Sequence, residues 1–354
     1  MTNRAILLTD GLLSTPNAKT AHGLIRGTER YTVVGVVDAP TAGQDAGEVL
    51  DGKSRQIPVF ASVDVALAQV ESVSYAIVAI ATNGGILPPT LLETLKECLE
   101  RGLSVVNGLH DFLNDKPDMV ALAEKQGVQL IDVRRPKPRH ELHFWTGEVK
   151  QIRAPIIAVI GTDCALGKRT TARLIREACG RHGLNAQLIY TGQTGWLQGG
   201  QYGFIVDSTV NDFVSGELEN ALVTCWRETH ADVLLIEGQA ALRNPSGPCG
   251  SEFLVSGNAR YVVLVHAPKR TYYDHDPAWG EIPSVESEIA LIRAYGSEVI
   301  ALAINTEDCT LEEAVMYQKT YSETLGIAVL LPLQQGVDAV VPVIQSIITT
   351  SHAD

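Results

Sequence analysis

The sequence lacks the features that would place it in a membrane or outside the cell. No apolar run reaches the ~18 residues that a membrane-spanning helix needs. The N-terminal stretch MTNRAILLTDG has neither the apolar core nor the small-residue cleavage site of a signal peptide. The six cysteines include no C-x-x-C pair, so neither a zinc site nor a disulfide framework is predicted. We therefore expect a cytoplasmic protein with no membrane partner.

Basic residues are also in the minority. The chain has 28 lysines and arginines against 41 aspartates and glutamates, which gives a formal net charge of −13. We expect no nucleic-acid partner, because such partners need a broad basic surface. An anionic small molecule is still a possible partner, because a local group of N–H donors and one lysine can outweigh a distant average charge. For a chain of this size we also expect a homo-oligomer.

The first half of the chain has no dinucleotide-binding fingerprint. Its first turn, TDGLLSTPNAKTAHG, contains no G-x-G-x-x-G. Asp38 closes the second predicted strand, where NAD-binding folds have the acid that binds the ribose. Without the glycines, however, the sequence does not favour NAD.

The chain does contain a regular alternation of predicted strands and helices. Short apolar runs bounded by glycine, proline, asparagine or aspartate alternate with segments of helical periodicity. This pattern predicts an α/β fold with two three-layer domains, each built on a parallel sheet. We predict domains over residues 1–135 and 155–350, joined by a proline-containing linker at 136–154.

The stretch GTDCALGKRTT (161–171) resembles a P-loop in which one residue is displaced. A predicted strand precedes it and a predicted helix follows, so backbone N–H groups, the helix dipole and a lysine would converge on an anion. Arg169 occupies the position from which serine or threonine normally presents a hydroxyl to Mg²⁺. Thr170 or Thr171 would reach a metal only if the helix started one residue later, so the metal ligands are left undetermined. We predict that phosphate is bound by Gly161, Thr162, Gly167, Lys168, Arg169, Thr170 and Thr171.

Three further residues are candidates for acid or base catalysis. Glu237 ends a predicted strand in LLIEGQ, where α/β sheets build their sites, and it could bind Mg²⁺ or act as a base. Asp207 follows a second predicted strand in FIVDS. The loop HAPKRTYYDHDP (266–277) offers His275 as an acid or base and Arg270 as a partner for a carboxylate.

Several motifs together resemble known families. GTDCALGK and IEGQ (236–239) are similar to the loop and the Glu-Gly pair of the dethiobiotin synthetase-like branch of P-loop proteins. Taken with NGLHDFL (107–113) and DVRRP (132–136), they resemble a two-domain bacterial family, long described only as of unknown function, whose members are D-glutamate N-acetyltransferases. The resemblance covers nearly all of 1–350. It implies a Rossmann-like N-terminal domain and a P-loop NTPase-like C-terminal domain.

The resemblance implies acetyl transfer from acetyl-CoA, as co-substrate, to the amine of D-glutamate or a related D-amino acid. Arg243, Arg270 and Gln239 are then the candidates for binding the amino acid. The chain departs from the family pattern after the Glu-Gly-Gln, where Ala240-Ala241-Leu242 replaces Gly-Ser-Leu. Two alternatives stay open: a Mg-ATP-dependent ligase or kinase, and a nucleotide- or CoA-binding protein without catalysis. Arg169 is the residue that best distinguishes the acetyltransferase from the ATP-dependent ligase or kinase.

Overall fold

The computed structural model describes residues 3–351, which form two compact units. Unit 1 contains the chain up to Pro136 together with Gln193–Gly200, and unit 2 contains Lys137–Gly192 and the chain from Gln201 onward. Each unit has a six-stranded sheet, and all neighbouring strands in both sheets are parallel. The predicted α/β class with two parallel sheets is confirmed. Within residues 3–351, no helix combines the length and apolar character that a membrane crossing requires.

The sheet of unit 1 has the strand order β3-β2-β1-β4-β5-β6, the order of a doubly wound Rossmann fold. With labels numbered along the whole chain, its elements are β1 (Arg4–Leu8), α1 (Lys19–Arg26), β2 (Thr32–Val37), α2 (Ala46–Asp51), β3 (Val59–Phe60), α3 (Val63–Gln69), β4 (Tyr75–Val78), α4 (Pro89–Glu100), β5 (Ser104–Asn107), α5 (Pro117–Gln126), β6 (Leu130–Asp132) and, after an excursion through unit 2, α7 (Gln193–Leu197).

The central strand of unit 1 shows why this sheet is covered on both faces. Along β1, Ala5 and Leu7 point into one apolar layer, and Ile6 and Leu8 point into the other. All four side chains are buried. Continuous apolar strands of this kind are typical of parallel sheets packed between two layers of helices.

The segment Gln193–Gly200 is packed into unit 1. Leu197 is fully buried in the same apolar layer as Leu7. The Arg30 guanidinium lies 4.1 Å from the centre of the Trp196 ring, and its Nε donates to the Trp196 carbonyl oxygen at 2.7 Å. The Gln198 amide donates to two carbonyl oxygens at the end of α1.

Two motifs that carried the family resemblance, NGLHDFL and DVRRP, form one hydrogen-bonded cluster in unit 1. The Asp132 carboxylate accepts hydrogen bonds from the Asn107 amide at 2.8 Å and from the backbone N–H groups of Leu113 and Asn114. Asn107 in turn accepts from the Leu109 N–H. The motif residues therefore shape the turns after β5 and β6.

Asp38 also has a structural role in unit 1. Its buried carboxylate accepts from the Thr9 hydroxyl at 2.7 Å, the Leu13 N–H at 3.0 Å and the Thr41 hydroxyl at 2.6 Å. An acid that binds a ribose must present its oxygens to the ligand. Asp38 instead ties the turn after β1 to the end of β2.

The sheet of unit 2 has the order β12-β11-β10-β7-β9-β8. Its elements are β7 (Ile156–Gly161), α6 (Lys168–Arg181), β8 (Ala186–Ile189), α8 (Asn211–Thr229), β9 (Val233–Glu237), α9 (Ser251–Val255), β10 (Tyr261–His266), α10 (Val285–Ala294), β11 (Glu298–Ile304), α11 (Leu311–Leu325), β12 (Ala328–Leu330) and α12 (Val341–Ser351). The chain adds later strands on both sides of β7, so the crevice beyond the carboxyl end of β7 is a topological switch point, where such sheets bind ligands.

The start of unit 2 is held against α8 by two buried glutamates. Glu217 accepts from the Lys137 ammonium at 2.7 Å and from the His143 N–H at 2.8 Å. Glu219 accepts from the Thr146 and Val149 N–H groups. The segment that contains the predicted linker is thus hydrogen-bonded to α8 rather than extended in solvent.

One strand prediction is wrong. FIVDS (204–208) was expected to be a strand that ends at Asp207, but the bridge to Tyr190, just after β8, is made by the preceding Gly203. Val206–Ser208 then forms a turn of 3₁₀ helix, and Asp207 is exposed. The Phe204 and Val206 N–H groups bond to the carbonyl oxygens of Tyr190 and Thr191, which are consecutive residues, whereas a parallel ladder needs acceptors two residues apart, so the pairing ends there.

Candidate functional site

The stretch GTDCALGKRTT forms a loop between β7 and α6 in unit 2, as the sequence predicts. β7 ends at Gly161 and α6 begins at Lys168. Ala165 and Gly167 have φ values of +52° and +86°, which turn the chain sharply into the helix. The Asn305 amide donates to the Leu166 carbonyl oxygen at 3.1 Å and holds the outer part of the loop.

Lys168 folds back over this loop. Its Nζ donates to the Asp163 carbonyl oxygen at 2.5 Å, and the side chain is buried. Its stem passes close to Gly161, where an added Cβ would lie 3.1 Å from the lysine Cδ. The lysine charge therefore lies over the loop at the N-terminus of α6, an arrangement suited to an anion. Phosphate binding by the loop stays a prediction.

Asp163 organises the loop through its fully buried carboxylate. One oxygen accepts from the Asn244 amide at 2.8 Å, and the other accepts from Arg270 Nη1 at 2.8 Å and the Asp274 N–H at 2.9 Å. The ligand atoms of Asp163, Cys164 and Asp274 lie within 4.8 Å of one another, close enough to be considered as a metal group. Both Asp163 oxygens already accept hydrogen bonds, however, and one accepts from a guanidinium whose charge opposes a cation.

Glu237 ends β9, the strand next to β7, and it faces Arg169. Arg169 Nη1 lies 3.5 Å from Glu237 Oε1, and Glu237 is almost fully buried. Its other oxygen accepts from the Thr191 N–H at 3.3 Å. Burial raises the pKa of Glu237 above its ordinary value, although the Arg169 charge acts against this rise.

These residues do not fit the magnesium site of a P-loop enzyme. Such a site needs a hydroxyl directly after the lysine, and Arg169 occupies that position. The helix begins at Lys168 and not one residue later. At 3.6 residues per turn, Thr170 and Thr171 project about 100° and 200° away from Arg169. Both threonines lie in the first turn of α6, but neither replaces the missing hydroxyl.

The Glu-Gly-Gln motif is packed tightly between neighbouring strand ends. A Cβ on Gly238 would lie 2.2 Å from the Val159 carbonyl oxygen, so only glycine fits there. The Gln239 amide donates to the Thr191 hydroxyl at 2.7 Å, and that hydroxyl donates to the Glu237 carbonyl oxygen at 2.6 Å. Gln239 and Glu237 are thereby joined through Thr191.

The two arginines predicted to bind substrate have different surroundings. Arg270 is buried and donates to Asp163, to the Cys164 carbonyl oxygen and, through two nitrogens, to Glu307. These contacts favour a role in holding the loop.

Arg243 is more accessible, with 30% of its side chain exposed. Its Nε and Nη2 donate to Glu288 Oε2 at 2.8 and 2.6 Å, and Nη1 donates to the Ser287 hydroxyl. Glu288 and Ser287 fix the plane of the guanidinium while leaving part of it open to solvent. The prediction of a carboxylate-binding arginine now rests on Arg243.

The remaining two catalytic candidates are both exposed. Asp207 lies in the 3₁₀ turn after Ile205. His275 has 54% of its side chain exposed, and its Nε2 lies 3.3 Å from Glu307 Oε1. His275 and the preceding Asp274 both have positive φ values, +64° and +48°, so this tight turn fixes the backbone around the histidine.

Sequence reasoning missed His266, which ends β10 beside the loop. Its Nδ1 lies 3.0 Å from the Thr162 hydroxyl, and its ring meets Tyr321 edge to face. Burial lowers the pKa of His266 to about 4, so its imidazole is neutral at physiological pH. The position of His266 at the end of a strand next to β7 was a signal that could have identified it.

Two family profiles match the chain. Residues 143–341 match a domain of the DUF1611 family described as a P-loop domain of unknown function, and residues 39–136 match its N-terminal domain, described as Rossmann-like. A crystal structure of a DUF1611 family protein from Anabaena variabilis superposes with a TM-score of 0.89 and 27% sequence identity, covering 98% of this chain and 100% of that one.

Two curated relatives are similar over most of their length. A D-glutamate N-acetyltransferase from Pseudoalteromonas sp is 30% identical over 272 residues, which cover 75% of this chain and 79% of the relative. A D-glutamate N-acetyltransferase from Tritonibacter scottomollicae is 31% identical over 278 residues, which cover 77% and 81%. The chain therefore belongs to the DUF1611 family, with its N-terminal Rossmann-like domain and C-terminal P-loop domain.

Proposed function

We propose that this protein transfers an acetyl group from acetyl-CoA to the amine of D-glutamate or a related D-amino acid. Two relatives named D-glutamate N-acetyltransferase, each about 30% identical over three quarters of the chain, support this proposal. The observation that favours it over ATP-dependent ligation is the position of Arg169. Its guanidinium faces Glu237 where an ATP-using P-loop enzyme holds its magnesium ion.

The loop suits the phosphates of CoA. CoA carries a pyrophosphate and a ribose phosphate, and the N-terminus of α6 with Lys168 offers N–H donors and a full positive charge. Binding of these groups needs no phosphoryl transfer and therefore no hydrolytic metal. The same cradle would hold the donor while its thioester reacts elsewhere in the site.

The reaction requires a base and an oxyanion partner. The acceptor ammonium loses one proton to the base, and the free amine then attacks the thioester carbon. A C–N bond forms, the C–S bond breaks, and a second nitrogen proton passes to the CoA thiolate. Glu237 is our choice of base, because it lies at the end of β9 beside the loop and burial raises its pKa. The oxyanion needs N–H or cationic donors of its own, separate from those that hold the phosphates.

The acceptor needs partners for its carboxylates. Arg243 is our choice, because Glu288 and Ser287 fix its guanidinium while part of the side chain is exposed. The replacement of the family's Gly-Ser by Ala240-Ala241 lies only two residues before it. We therefore test related D-amino acids beside D-glutamate.

The experiment is a thiol-release screen of the purified protein with acetyl-CoA and a panel of D- and L-amino acids. We expect free CoA thiol with D-glutamate or a related D-amino acid, and N-acetylated product by mass spectrometry. Thiol release from no amino acid, or Mg²⁺-dependent turnover of ATP in its place, would overturn the proposal. Tight CoA binding without acetylation of any amine would instead support a binding protein.

A separate arm tests the cradle. Lys168→Ala should weaken CoA binding in calorimetry roughly 10- to 100-fold, because a charge-assisted contact is lost. Lys319→Ala is the matched control, since Lys319 is largely exposed on α11 and should leave CoA affinity unchanged. Urea unfolding of both variants shows whether the fold is intact. Unchanged CoA affinity in a folded Lys168→Ala protein would contradict the role of the loop.

A further inference from the structure

We propose that Arg169 is a built-in cation that replaces the divalent metal of the P-loop, and that threonine at this position restores a metal-dependent nucleotide site. The inference rests on the proposed use of this loop to bind phosphate. It adds a statement about cofactor requirement: wild-type protein binds its phosphate ligand without Mg²⁺. It also predicts a second, latent ligand class, the Mg²⁺ complex of a nucleoside triphosphate.

The first step of the argument is the position of the side chain. Arg169 directly follows the P-loop lysine, and α6 already begins at Lys168. It is therefore the residue of the first helical turn from which a P-loop enzyme presents its metal-binding hydroxyl. Thr170 and Thr171 point away from that direction, so no neighbouring hydroxyl compensates.

The second step is the partner of the side chain. In P-loop enzymes an acid at the end of a nearby strand helps to hold the metal. Glu237 ends β9, the neighbour of β7, and its Oε1 lies 3.5 Å from Arg169 Nη1. The guanidinium thus contacts the acidic group that would otherwise attract the ion.

The third step concerns charge. Arginine stays protonated in proteins, so Arg169 provides a permanent single positive charge beside Glu237. A divalent ion placed between the same residues would be repelled by this charge and by Lys168. Arg169 and Glu237 carry opposite charges, and Lys168 adds a second positive charge at the same end of α6. Arg169 therefore supplies a positive charge beside Glu237 without a metal.

The experiment compares ligand binding to full-length wild type and two variants in EDTA and in Mg²⁺, by calorimetry with CoA, ATP and ADP. We expect CoA affinity of the wild type to be the same in both buffers. Arg169→Thr should bind ATP at least ~10-fold more tightly in Mg²⁺ than in EDTA, because hydroxyl and carboxylate then hold the ion. Arg169→Met is the matched control, since it removes the charge without adding a hydroxyl, and it should show no such gain.

Two outcomes would overturn the inference. One is wild-type CoA binding that weakens when Mg²⁺ is removed by EDTA. The other is a folded Arg169→Thr protein whose ATP affinity does not respond to Mg²⁺, or responds no more than Arg169→Met. If Arg169→Thr fails to fold, the wild-type comparison in EDTA still decides the question.

Failure of the proposed function gives a different result. Thiol release with D-glutamate that requires Mg²⁺ would refute the built-in cation while leaving acetyl transfer standing. Metal-independent CoA binding without acetylation of any amino acid would refute the transferase while leaving the built-in cation standing.

Discussion

The Arg270 guanidinium lies 2.8 Å from the carboxylate of Asp163, and both side chains are buried. Arg270 also donates to the Cys164 carbonyl oxygen and to Glu307, which follows β11. One arginine thus joins the P-loop to the segments that follow β10 and β11. We expect the shape of the loop to depend on this charge.

Removing the charge of Arg270 should therefore destabilise unit 2. Arg270→Met leaves the carboxylate of Asp163 buried without its cation, which typically costs about 3–5 kcal/mol. Urea denaturation followed by circular dichroism would measure this loss. Lys319→Ala breaks a well-exposed pair with Glu323 and should change stability by less than about 0.5 kcal/mol. Equal stabilities of the two variants would show that the buried pair does not hold the loop.

Arg243 should affect the acceptor rather than the donor. Arg243→Lys keeps the charge but loses the planar fork, so we expect the KM for D-glutamate to rise roughly 10- to 100-fold. CoA affinity should be unchanged. Arg260→Lys is a control on an exposed arginine of the same unit. Steady-state kinetics with an unaltered acceptor KM in Arg243→Lys would remove this residue from the substrate site.

His266 should make unit 2 sensitive to mild acid. Burial lowers its pKa from 6.5 to about 4, so between these values the unfolded chain binds a proton that the folded chain does not. The neutral imidazole therefore contributes stability that is fully present above pH 6.5 and is lost as the pH falls towards 4. Between about pH 7 and about pH 5 this loss amounts to about 2 kcal/mol.

The test is the pH dependence of unfolding in His266→Asn. Asparagine can still hydrogen-bond to the Thr162 hydroxyl but does not titrate. Between about pH 7 and about pH 5, the unfolding free energy of this variant should fall by about 2 kcal/mol less than that of the wild type. Parallel curves for the two proteins would show that folding does not lower the pKa of His266.

Two glycine substitutions should have opposite effects. A Cβ on Gly238 would lie 2.2 Å from the Val159 carbonyl oxygen, so Gly238→Ala must separate β9 from β7 and should cost about 1–3 kcal/mol or more. Gly180 lies in α6 with nothing within 4 Å of its added Cβ. Gly180→Ala should instead stabilise the helix by about 0.5–1 kcal/mol. Melting temperatures that move in the same direction would contradict this account of Gly238.

The sequence allowed the fold class to be predicted because both sheets are built from continuous apolar strands. Leu7 and Ile6 point to opposite layers, as do Ile157 and Ile156, so apolar residues follow one another along these strands instead of alternating with polar ones. FIVDS has the same composition but is not a strand. Its N–H groups bond to the consecutive residues Tyr190 and Thr191, which breaks the alternation of a parallel ladder and is not encoded in local composition.

The site was only partly predictable for a related reason. The loop, Lys168 and Glu237 follow from local motifs, since strand, turn and helix are adjacent in sequence. The different surroundings of Arg270 and Arg243 do not follow from local motifs. Arg270 holds the loop through its contact with Asp163. The two residues are 107 positions apart in the chain, so the contact is visible only in the folded structure.

The path of the chain through the two units has a consequence for biosynthesis. The ribosome must complete β7, α6 and β8 before it reaches Leu197, which is fully buried in the core of unit 1. A nascent chain that ends at residue 136 therefore has a vacancy where Leu197 belongs, and filling it must await translation beyond residue 200. The two units cannot mature strictly one after the other, and an arrest of translation between residues 136 and 193 would leave both of them incomplete.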